Sequence, residues 1–573
     1  MRQPLSIYCD WALHDELGDD VRLTEEMTMG VLDTLGRWKG EHGVGFDYYL
    51  IDCFWFEQPG DYTRFNPETW PNGFGPARRR MEELGMTPGL WLDTTGGRVA
   101  GRDEWADSLD VHDGASHCLF DGPYADDLEG AMLHAIEEWG IGMFKFDFAN
   151  FHAVSTRRRG MERGEIYRRN VTALRRVCRR VRSKHPEVVM LAYNRFAYRD
   201  GYYSDTTGEI VPGIEPAWLD VMDYVYSGDP RPADAPCASL RRAVDMYQDH
   251  VVHKFHYSGL PLERIDDHGC MVGTTNTIYY LGERGWRRTW LQSLGRGGRK
   301  AHFYGDVGLL SDDDVRFLGR ARELFFDLYR RGAPTRPVGG VPCQSPWHGF
   351  LTGSGSDGLL VVVNGTAEPL EIELPVDELQ DARILFHDIG FEPRCTASWD
   401  ELRVTLAGEQ MALVGLGTKA EERFDLGANV GGDPVTGKVR ELDLPFEGER
   451  ETIRCLTSGA ALAGPAEHTG MDGLRLSFRL RSRNAAYRGA VGREEVVADA
   501  MPINVKADGE TVEEELLVPN VQVWSGCSWV TGIYPLEAIA TAEQVEITFE
   551  CPDAVPRIIP RAWLQRLPTE EVE

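Results

Sequence analysis

The chain has 573 residues, of which 42% are hydrophobic and 10% are aromatic. This composition supplies enough apolar surface for several packed domains and excludes a largely disordered chain. Its 61 basic and 91 acidic residues give a formal net charge of -30, which repels nucleic acids and anionic membranes. We therefore expect a neutral substrate, with neither nucleic acid nor a membrane as partner.

The eleven cysteines are spread singly, without a Cys-x-x-Cys pair, which is typical of proteins whose thiols stay reduced. The first residues do not form a basic and then apolar signal segment. No apolar run reaches the roughly 18 residues that a membrane-spanning helix requires. These features predict a cytoplasmic protein, and they leave a homo-oligomer open.

Up to about residue 335, short apolar runs alternate with longer amphipathic segments, a pattern typical of repeated βα units. Strands are predicted at residues 5–9, 48–53, 87–92, 142–148, 188–193, 221–226 and 300–304, with one more between 250 and 275. Eight such units predict an α/β fold in which residues 1–335 form a (β/α)8 TIM barrel. An open doubly wound sheet is the alternative.

From about residue 336 onward, the pattern changes to alternating strands separated by turns, which predicts all-β sandwich domains. We place one β-sandwich at residues 336–418 and a second, sandwich-like accessory domain at residues 419–573. Trp524, Trp529 and Tyr534 in the last domain either bind sugar or, as we favour, pack between domains.

The segment MFKFDFANF, residues 143–151, alternates with a period of two. A strand here has Phe144, Phe146 and Phe148 on one face and Lys145 and Asp147 on the other. On a surface strand, the three phenylalanines would form an exposed apolar patch. In a barrel they would instead pack under the helices, and the charged face would point into the pocket at the C-terminal strand ends.

Carboxylates occur at or just beyond five predicted strand ends: Asp10, Asp52, Asp93, Asp147 and Asp229. Aromatic side chains stand beside them in the sequence: Trp11, Trp55, Trp91 and Tyr193. Acids next to apolar rings suit a sugar, which has apolar C–H faces and polar hydroxyl edges. The simpler interpretation of each acid is a solvated loop residue or a turn cap.

Glycoside hydrolysis with retention requires one ionised and one protonated carboxyl group. Asp147 is our candidate for the ionised nucleophile, because the nearby Lys145 favours its charged form. Asp229 is our candidate for the general acid, since it lies in an exposed Ser-Gly-Asp-Pro turn after the sixth strand. Asp223 is a competing candidate within that strand.

The segments YYLIDCFWF, GLWLD, FKFDF and YVYSGD together resemble the α-galactosidase-type retaining glycoside hydrolases of the clan that contains families 27 and 36. The resemblance extends over roughly residues 5–310. It implies an exo-acting enzyme that cleaves a terminal α-galactoside or a related sugar without cofactor or metal, with Asp147 as nucleophile and Asp229 as acid/base. The candidate substrate-binding residues are Asp10, Trp11, Asp52, Trp55, Trp91, Asp93, Lys145, Tyr193 and Asn194.

The chain departs from that family at positions that bear on the sugar. Asp52-Cys53 stands where the family usually has two adjacent acids, and Ala149 stands where family 36 has an asparagine. We expect no counterpart of the large N-terminal β-domain of family 36 in this chain. A β-L-arabinopyranosidase-like specificity and transglycosylation therefore remain alternatives.

Two further functional classes remain open. His250, His253 and His256 recur at intervals of three, and with His268 they could bind a metal in a metal-dependent barrel; a solvated helix face is the more common interpretation. A non-catalytic protein that binds carbohydrate through its β-sandwiches is the other class, although both candidate aspartates stand at the appropriate strand ends.

Overall fold

The protein is described from a computed structural model. The described residues are 3–14, 23–53, 55–58, 61–96, 103–196, 216–228, 230, 233, 237, 240–273, 285–388, 391–421, 424–428, 440–448, 452–464, 471–481, 502–523, 527–550 and 558–567.

Strands and helices alternate through the first part of the chain. The strands are β1 (Leu5–Cys9), β2 (Tyr48–Ile51), β3 (Phe56–Gln58), β4 (Asp61–Phe65), β5 (Thr87–Asp93), β6 (Met143–Asp147), β7 (Val189–Ala192), β8 (Tyr224–Tyr226), β9 (Ile265–Asp266), β10 (Cys270–Val272) and β11 (Lys300–Gly305). The helices are α1 (Trp11–His14), α2 (Glu25–His42), α3 (Gly75–Glu83), α4 (Tyr124–Trp139), α5 (Arg163–Lys184), α6 (Leu240–Tyr257), α7 (Trp286–Gly295) and α8 (Asp312–Arg330).

Nine of these strands form one parallel sheet in the order β10-β11-β1-β2-β5-β6-β7-β8-β9. Eight steps of about 4.8 Å would separate the edges of a flat sheet by about 38 Å. However, the edge strands β9 and β10 are joined by residues 267–269 alone, which reach about 14 Å at most. The sheet must therefore curl round on itself, as in a TIM-like domain, with β9 and β10 as two pieces of one strand position.

Side chains that meet inside the curled sheet support this geometry. Tyr304 on β11 and Tyr193, just after β7, are five positions apart in the sheet, yet their hydroxyl oxygens are 2.9 Å apart. Such a contact requires both side chains to cross the interior of the curled sheet.

Each predicted strand up to residue 305 has a counterpart among the observed strands. The expected strand between 250 and 275 is present as β9 and β10. The hairpin of β3 and β4, which pair antiparallel, was not predicted, because residues 56–65 mix aromatic and charged side chains without regular alternation.

The alternation in residues 143–148 has the predicted consequence for two of the three phenylalanines in this segment. Phe144 and Phe146 are fully buried in the core beneath the helices, whereas Met143 belongs to the cluster inside the sheet. Phe148 differs from the prediction, because the strand ends at Asp147. With a φ of 47°, Phe148 turns out of the strand, and its ring lies 5.9 Å from that of Trp91.

The helices have local sequence signals at their ends. Thr24 caps α2 by accepting a hydrogen bond from the backbone of Met27, and Gly43 ends that helix with a φ of 68°, a conformation that glycine adopts without steric cost. Ser311 and Asp314 form a reciprocal capping box at the start of α8. In the part of the chain that is described, no helix combines the length and apolar character needed to cross a membrane.

Two β-structures follow the curled sheet. The strands of the first are β12 (Thr335–Gly339), β13 (Trp347–Gly353), β14 (Asp357–Asn364), β15 (Leu370–Pro375), β16 (Ala382–His387), β17 (Arg394–Ser398), β18 (Glu401–Leu406), β19 (Met411–Gly417) and β20 (Gly427–Ala428). They form a six-stranded and a three-stranded sheet around a shared apolar core. Because β20 pairs with β16, the six-stranded sheet extends beyond residue 418.

The second β-structure has its own core and contains a five-stranded and a four-stranded sheet. Its elements are β21 (Arg440–Leu442), β22 (Thr452–Thr457), α9 (Gly459–Ala463), β23 (Gly473–Arg481), β24 (Ile503–Ala507), β25 (Glu510–Thr511), β26 (Leu516–Val523), β27 (Cys527–Pro535), β28 (Val545–Glu550) and β29 (Ile558–Gln565). Tyr534 is buried in this core, and its hydroxyl donates to the carbonyl of Ile503 at 2.9 Å. Trp524, for which we also considered sugar binding or packing between domains, lies outside the described residues.

Candidate active site at the C-terminal strand ends

Asp147 ends β6, and its carboxylate is held by three N–H donors. The indole Nε1 of Trp91 donates to Oδ2 at 3.1 Å. The backbone amides of Phe148 and Asn194 donate to Oδ1 at 2.8 and 3.2 Å. A carboxylate offers about four lone-pair sites, so this arrangement orients the group and leaves it able to react. The side chain is only 5% exposed.

Lys145, two residues earlier on the same strand face, forms its ion pair with Asp52. Its Nζ lies 2.8 Å from Asp52 Oδ2, and both side chains are buried. Burial by itself would lower the pKa of Lys145, but the charge of Asp52, with smaller effects of Cys9 and Asp147, raises that pKa above its ordinary value. The lysine is therefore cationic at neutral pH, and Asp147 acts on it at longer range than Asp52.

Asp10 lies beneath this ion pair at the end of β1. Its Oδ1 accepts a hydrogen bond from the backbone amide of Asp52 at 2.8 Å, and the side chain is fully buried. Burial, together with the charge of Asp52, raises the pKa of Asp10 well above its ordinary value. Asp10 therefore supports the position of Asp52 through this hydrogen bond, and its burial favours the protonated form of its carboxyl group.

Aromatic rings surround the ammonium group of Lys145. Its Nζ lies 4.3 Å from the ring centroid of Tyr193 and 5.8 Å from that of Trp11. The Trp11 ring is half-buried, whereas Tyr193 is buried. Asn194, which follows Tyr193, reaches Asp147 through its backbone amide.

Asp93 stands at the end of β5, directly opposite Asp147 in the register of the two strands. It is fully buried, and its Oδ1 accepts a hydrogen bond from the backbone of Thr95 at 3.2 Å. The hydroxyls of Tyr62 and Tyr124 both donate to its carbonyl oxygen at 3.0 Å. These contacts hold the end of β5, and with it Trp91, beside Asp147.

Trp55 occupies a different environment from the residues above. Its indole is fully buried among aromatic rings that include Phe65 and Trp139. Its Nε1 donates to the carbonyl of Trp91 at 3.0 Å. The contacts of Trp55 are those of a packing residue that supports the backbone at Trp91.

The two candidates for the general acid have different outcomes. Asp229 lies outside the described residues, so its distance from Asp147 stays a prediction. Asp223 precedes β8 and therefore lies at the opposite end of the sheet from Asp147. There it pairs with Arg182 at 2.8 Å and accepts a hydrogen bond from the backbone of Met190 at 2.9 Å. This position rules out Asp223 as a partner of Asp147.

Three buried polar side chains beneath the candidate site, Lys300, His302 and Tyr304, were not predicted from the sequence. Lys300, His302 and Tyr304 point into the curled sheet from β11, and Asp266 points in from β9. The period-two polar pattern of the segment KAHFY is the same kind of signal that drew attention to β6. That signal could have identified these three side chains, although not their partners.

The four histidines considered as metal ligands do not come together. His250 on α6 contacts the carbonyl of Pro342 through Nδ1 at 2.7 Å, whereas His268 lies inside the curled sheet against the rings of Tyr226 and Tyr304. Within the described ranges, one group of three side chains brings potential metal ligands within 4.8 Å of one another: Glu41, His42 and Asp312. Both of its carboxylates are largely exposed.

Neither a protein-family model nor a curated protein matches the sequence. Similar solved structures include the GH36 α-galactosidase AgaB from Geobacillus stearothermophilus, with a TM-score of 0.48, 14% identity and coverage of 72% of this chain and 56% of that chain. The α-galactosidase from Lactobacillus brevis has a TM-score of 0.48, 12% identity and coverage of 71% and 55%. For α-galactosidase I from Mortierella vinacea the values are 0.42, 12%, 73% and 98%. The chain thus spans about half the length of the Geobacillus and Lactobacillus proteins.

Proposed function

We propose that this protein is a retaining exo-glycoside hydrolase that acts on a terminal α-galactoside or a related sugar, and that its first domain is a (β/α)8 barrel. The observation that carries the proposal is the carboxylate of Asp147 at a strand end, oriented by three N–H donors. Beside it lie a buried lysine–aspartate pair and aromatic rings. A charged nucleophile, hydroxyl-binding groups and apolar surfaces are the parts that such an enzyme needs.

The reaction has two displacements. In the first, Asp147 attacks the anomeric carbon and forms a glycosyl ester, while Asp229 gives its proton to the departing glycosidic oxygen. In the second, Asp229 removes a proton from water, whose oxygen attacks the anomeric carbon and releases the carboxylate of Asp147. The N–H of Trp91 and the two backbone amides stabilise that carboxylate whenever it is negatively charged. A retaining enzyme requires the two carboxyl groups to lie about 5–5.5 Å apart.

Lys145 and Asp52 are suited to bind sugar hydroxyls. The ammonium of Lys145 has three N–H donors, and Asp52 Oδ2 takes one of them. A hydroxyl that accepts from Lys145 can also donate to a carboxylate oxygen, so the pair recognises a hydroxyl from both sides. The half-buried ring of Trp11 offers an apolar surface for the C–H face of the sugar.

A comparison of α-galactoside and β-L-arabinopyranoside substrates would identify the sugar. A β-L-arabinopyranoside has the ring stereochemistry of an α-D-galactopyranoside but lacks the exocyclic hydroxymethyl group. A specific galactosidase therefore needs room and a polar partner for that group, whereas an arabinopyranosidase excludes it. Transglycosylation would use the same glycosyl ester and transfer it to a sugar hydroxyl instead of water.

The test combines turnover with labelling of the nucleophile. We expect the wild type to hydrolyse a nitrophenyl α-galactoside or β-L-arabinopyranoside, and Asp147→Asn to lose that activity by several orders of magnitude. A galactose-configured epoxide should alkylate Asp147, which peptide mass mapping of the esterified carboxylate would identify. The control is Asp107→Asn, which changes an exposed acid and should retain activity.

Three outcomes would contradict the proposal. They are activity that survives in Asp147→Asn, a label on another residue, and turnover that is abolished by a chelator. Hydrolysis that gives a product of inverted anomeric configuration would retain the glycosidase assignment but refute the role of Asp147 as nucleophile.

A further inference from the structure

The interior of the curled sheet beneath Lys145 holds an ionic and hydrogen-bonded cluster. Its members are Tyr193, Asp266, Lys300, His302 and Tyr304, all of which are buried. The interiors of barrels of parallel strands are usually filled by branched apolar side chains. Burying charged groups in such a place costs free energy unless they are paired and hydrogen-bonded. The contacts made by these five side chains therefore indicate which neighbouring groups the cluster holds in place.

Asp266 is the centre of the cluster. Its Oδ1 lies 2.8 Å from Nζ of Lys300 and accepts a hydrogen bond from the backbone amide of His268 at 3.2 Å. Its Oδ2 accepts a hydrogen bond from the hydroxyl of Tyr193 at 2.9 Å. Each carboxylate oxygen is therefore occupied by a donor from a different part of the chain, and the carboxylate has little freedom to turn.

The charges of the cluster are well defined. Burial alone would raise the pKa of Asp266, but Lys300 and His302 outweigh burial and hold that pKa far below its usual range. Burial, assisted by the charge of Asp266, raises the pKa of Tyr193 well above its ordinary value. At neutral pH, a neutral phenol therefore donates its proton into a hydrogen bond with an ionised carboxylate.

The ring of Tyr193 carries this interaction to the candidate site. A phenol that donates to a carboxylate gains electron density in its ring, and a richer ring attracts a cation over its face more strongly. The Nζ of Lys145 lies 4.3 Å from the centroid of that ring. Tyr226 stacks against the same ring at 4.3 Å with an interplanar angle of 12°, which restrains its tilt.

A chain of buried ion pairs anchors the cluster from below. Lys300 also contacts Asp267 at 3.2 Å, and Asp267 pairs with Arg296 at 2.9 Å. Arg296 pairs with Asp249 at 2.7 Å, and Nε2 of His348 in the first β-structure lies 2.9 Å from Asp249. Through Lys300, these ion pairs restrain Asp266 and connect it to residues outside the curled sheet.

We propose that Asp266 is a positioning residue for the candidate site: by holding the hydroxyl of Tyr193, it fixes the ring that in turn fixes the ammonium group of Lys145. The sugar-binding consequence of this placement rests on the proposed function. The placement of Lys145 itself does not, and it can be measured in the protein without any ligand.

The composition of the chain makes that measurement tractable. It has eight lysines: Lys39, Lys145, Lys184, Lys254, Lys300, Lys419, Lys438 and Lys506. Lysine labelled with carbon-13 at Cε therefore gives eight methylene signals, and the signal lost in Lys145→Arg identifies Lys145. Because this group lies over the Tyr193 ring, we expect its proton resonances to be shifted upfield by the ring current.

Three variants test the link. Tyr193→Leu removes the ring and should abolish the upfield shift of Lys145. Asp266→Asn keeps the size of the side chain but removes its charge, and it should move the Lys145 signal in the same direction. Tyr193→Phe keeps the ring but cuts its bond to Asp266, and it too should move the signal, which tests the link even if Asp266→Asn does not fold.

The matched control is Glu25→Gln, which neutralises another buried acid, one that accepts a hydrogen bond from the backbone amide of Asn72 at 3.0 Å. It should leave the Lys145 signal in place. A signal that stays unmoved in a folded Asp266→Asn or in Tyr193→Phe would overturn the proposal. So would an equal movement in Glu25→Gln.

The consequence for sugar binding is tested by a double-mutant cycle. We expect Asp266→Asn to raise KM for the nitrophenyl substrate by about tenfold, the scale of a lost cation–π contact, with a smaller change in kcat. In a Lys145→Met background, Asp266→Asn should add almost nothing, because it acts through Lys145. Additive effects would overturn the positioning role. Absence of hydrolysis in the wild type would instead refute the proposed function and leave the spectroscopic result to decide the placement.

Discussion

The ion pair of Lys145 and Asp52 allows a stability prediction that is independent of any activity. Lys145→Met removes the ammonium group but retains most of the length and volume of the side chain. It leaves Asp52 buried, with its remaining hydrogen bonds from the backbone of Cys53 at 2.9 Å and the thiol of Cys9 at 3.3 Å. Removing one partner of a buried pair typically costs about 3–5 kcal/mol, because the other charge is left uncompensated.

Protonation of Asp52 sets an upper limit on that cost. A pH of 7 lies about 3 units above the pKa of an ordinary aspartate, and each unit corresponds to about 1.4 kcal/mol. Protonating such an aspartate at pH 7 therefore costs about 4 kcal/mol. At pH 5 the same step costs about 1.5 kcal/mol. We therefore expect Lys145→Met to lower the free energy of unfolding by about 3–4 kcal/mol at pH 7 and by no more than about 1.5–2 kcal/mol at pH 5.

Urea denaturation followed by tryptophan fluorescence measures this difference. Ten of the fifteen tryptophans precede residue 336, so the signal reports mainly on the domain that contains the pair. The double variant Lys145→Met/Asp52→Asn removes both charges and should recover most of the lost stability at pH 7. Lys184→Met, at the exposed end of α5, is the control and should change stability by less than about 0.5 kcal/mol.

Two results would refute this reasoning. The first is an equal loss of stability at pH 5 and pH 7, because a buried uncompensated carboxylate must be cheaper to protonate at the lower pH. The second is a double variant that is less stable than Lys145→Met, because the loss would then reflect packing and not charge.

Asp10→Asn should stabilise the protein by an amount that grows as the pH rises above about 4, by up to about 1.4 kcal/mol per pH unit. The folded-state pKa of Asp10 is raised, so the stability contributed by its protonated carboxyl group in the wild type is lost as the pH rises through that pKa. Urea denaturation at several pH values between 4 and 7 measures this trend. Trp91→Phe removes the N–H that donates to Asp147 and should lower kcat/KM by about 10- to 150-fold, the effect of a hydrogen bond of about 1.5–3 kcal/mol to a charged group. Gly269→Ala should cost about 2–5 kcal/mol of unfolding free energy, because Gly269 has a φ of 70° and a Cβ there would lie 2.1 Å from the carbonyl oxygen of His302.

Each of these predictions has a control. Asp33→Asn changes an exposed acid and should give a stability difference that does not vary with pH. Trp38→Phe alters a buried indole of α2 and should retain kcat/KM. Gly259→Ala has a φ of 102° but no atom within 4 Å of its Cβ, so it should cost only the backbone strain. A variant that behaves like its control would contradict the corresponding prediction.

Several features of the fold were predictable from local patterns. The alternation in residues 143–147 correctly predicts that Phe144 and Phe146 lie under the helices, because side chains on a strand point to opposite faces in turn. The spacing of apolar runs correctly predicts the strands and a TIM-like sheet. Local patterns did not predict two changes of chain direction, the hairpin of β3 and β4 and the turn at Phe148. Both depend on backbone geometry that leaves no periodic signal in the sequence.

The candidate site shows the same division at the level of single residues. Strand periodicity is a property of consecutive residues, so the sequence alone could assign Lys145 and Asp147 to the inner face of their strand. It could not assign their partners, since Asp52 comes from β2 and the Tyr193–Asp266 pair from β7 and β9, and these side chains meet only because the sheet curls round. The order and register of the strands also place Asp223 at the end of the sheet opposite Asp147. They place Trp55 in the packed aromatic core. Long-range pairing therefore defines the electrostatics of the site, because the free energy of a buried charge depends on which opposite charge lies within a few ångströms of it.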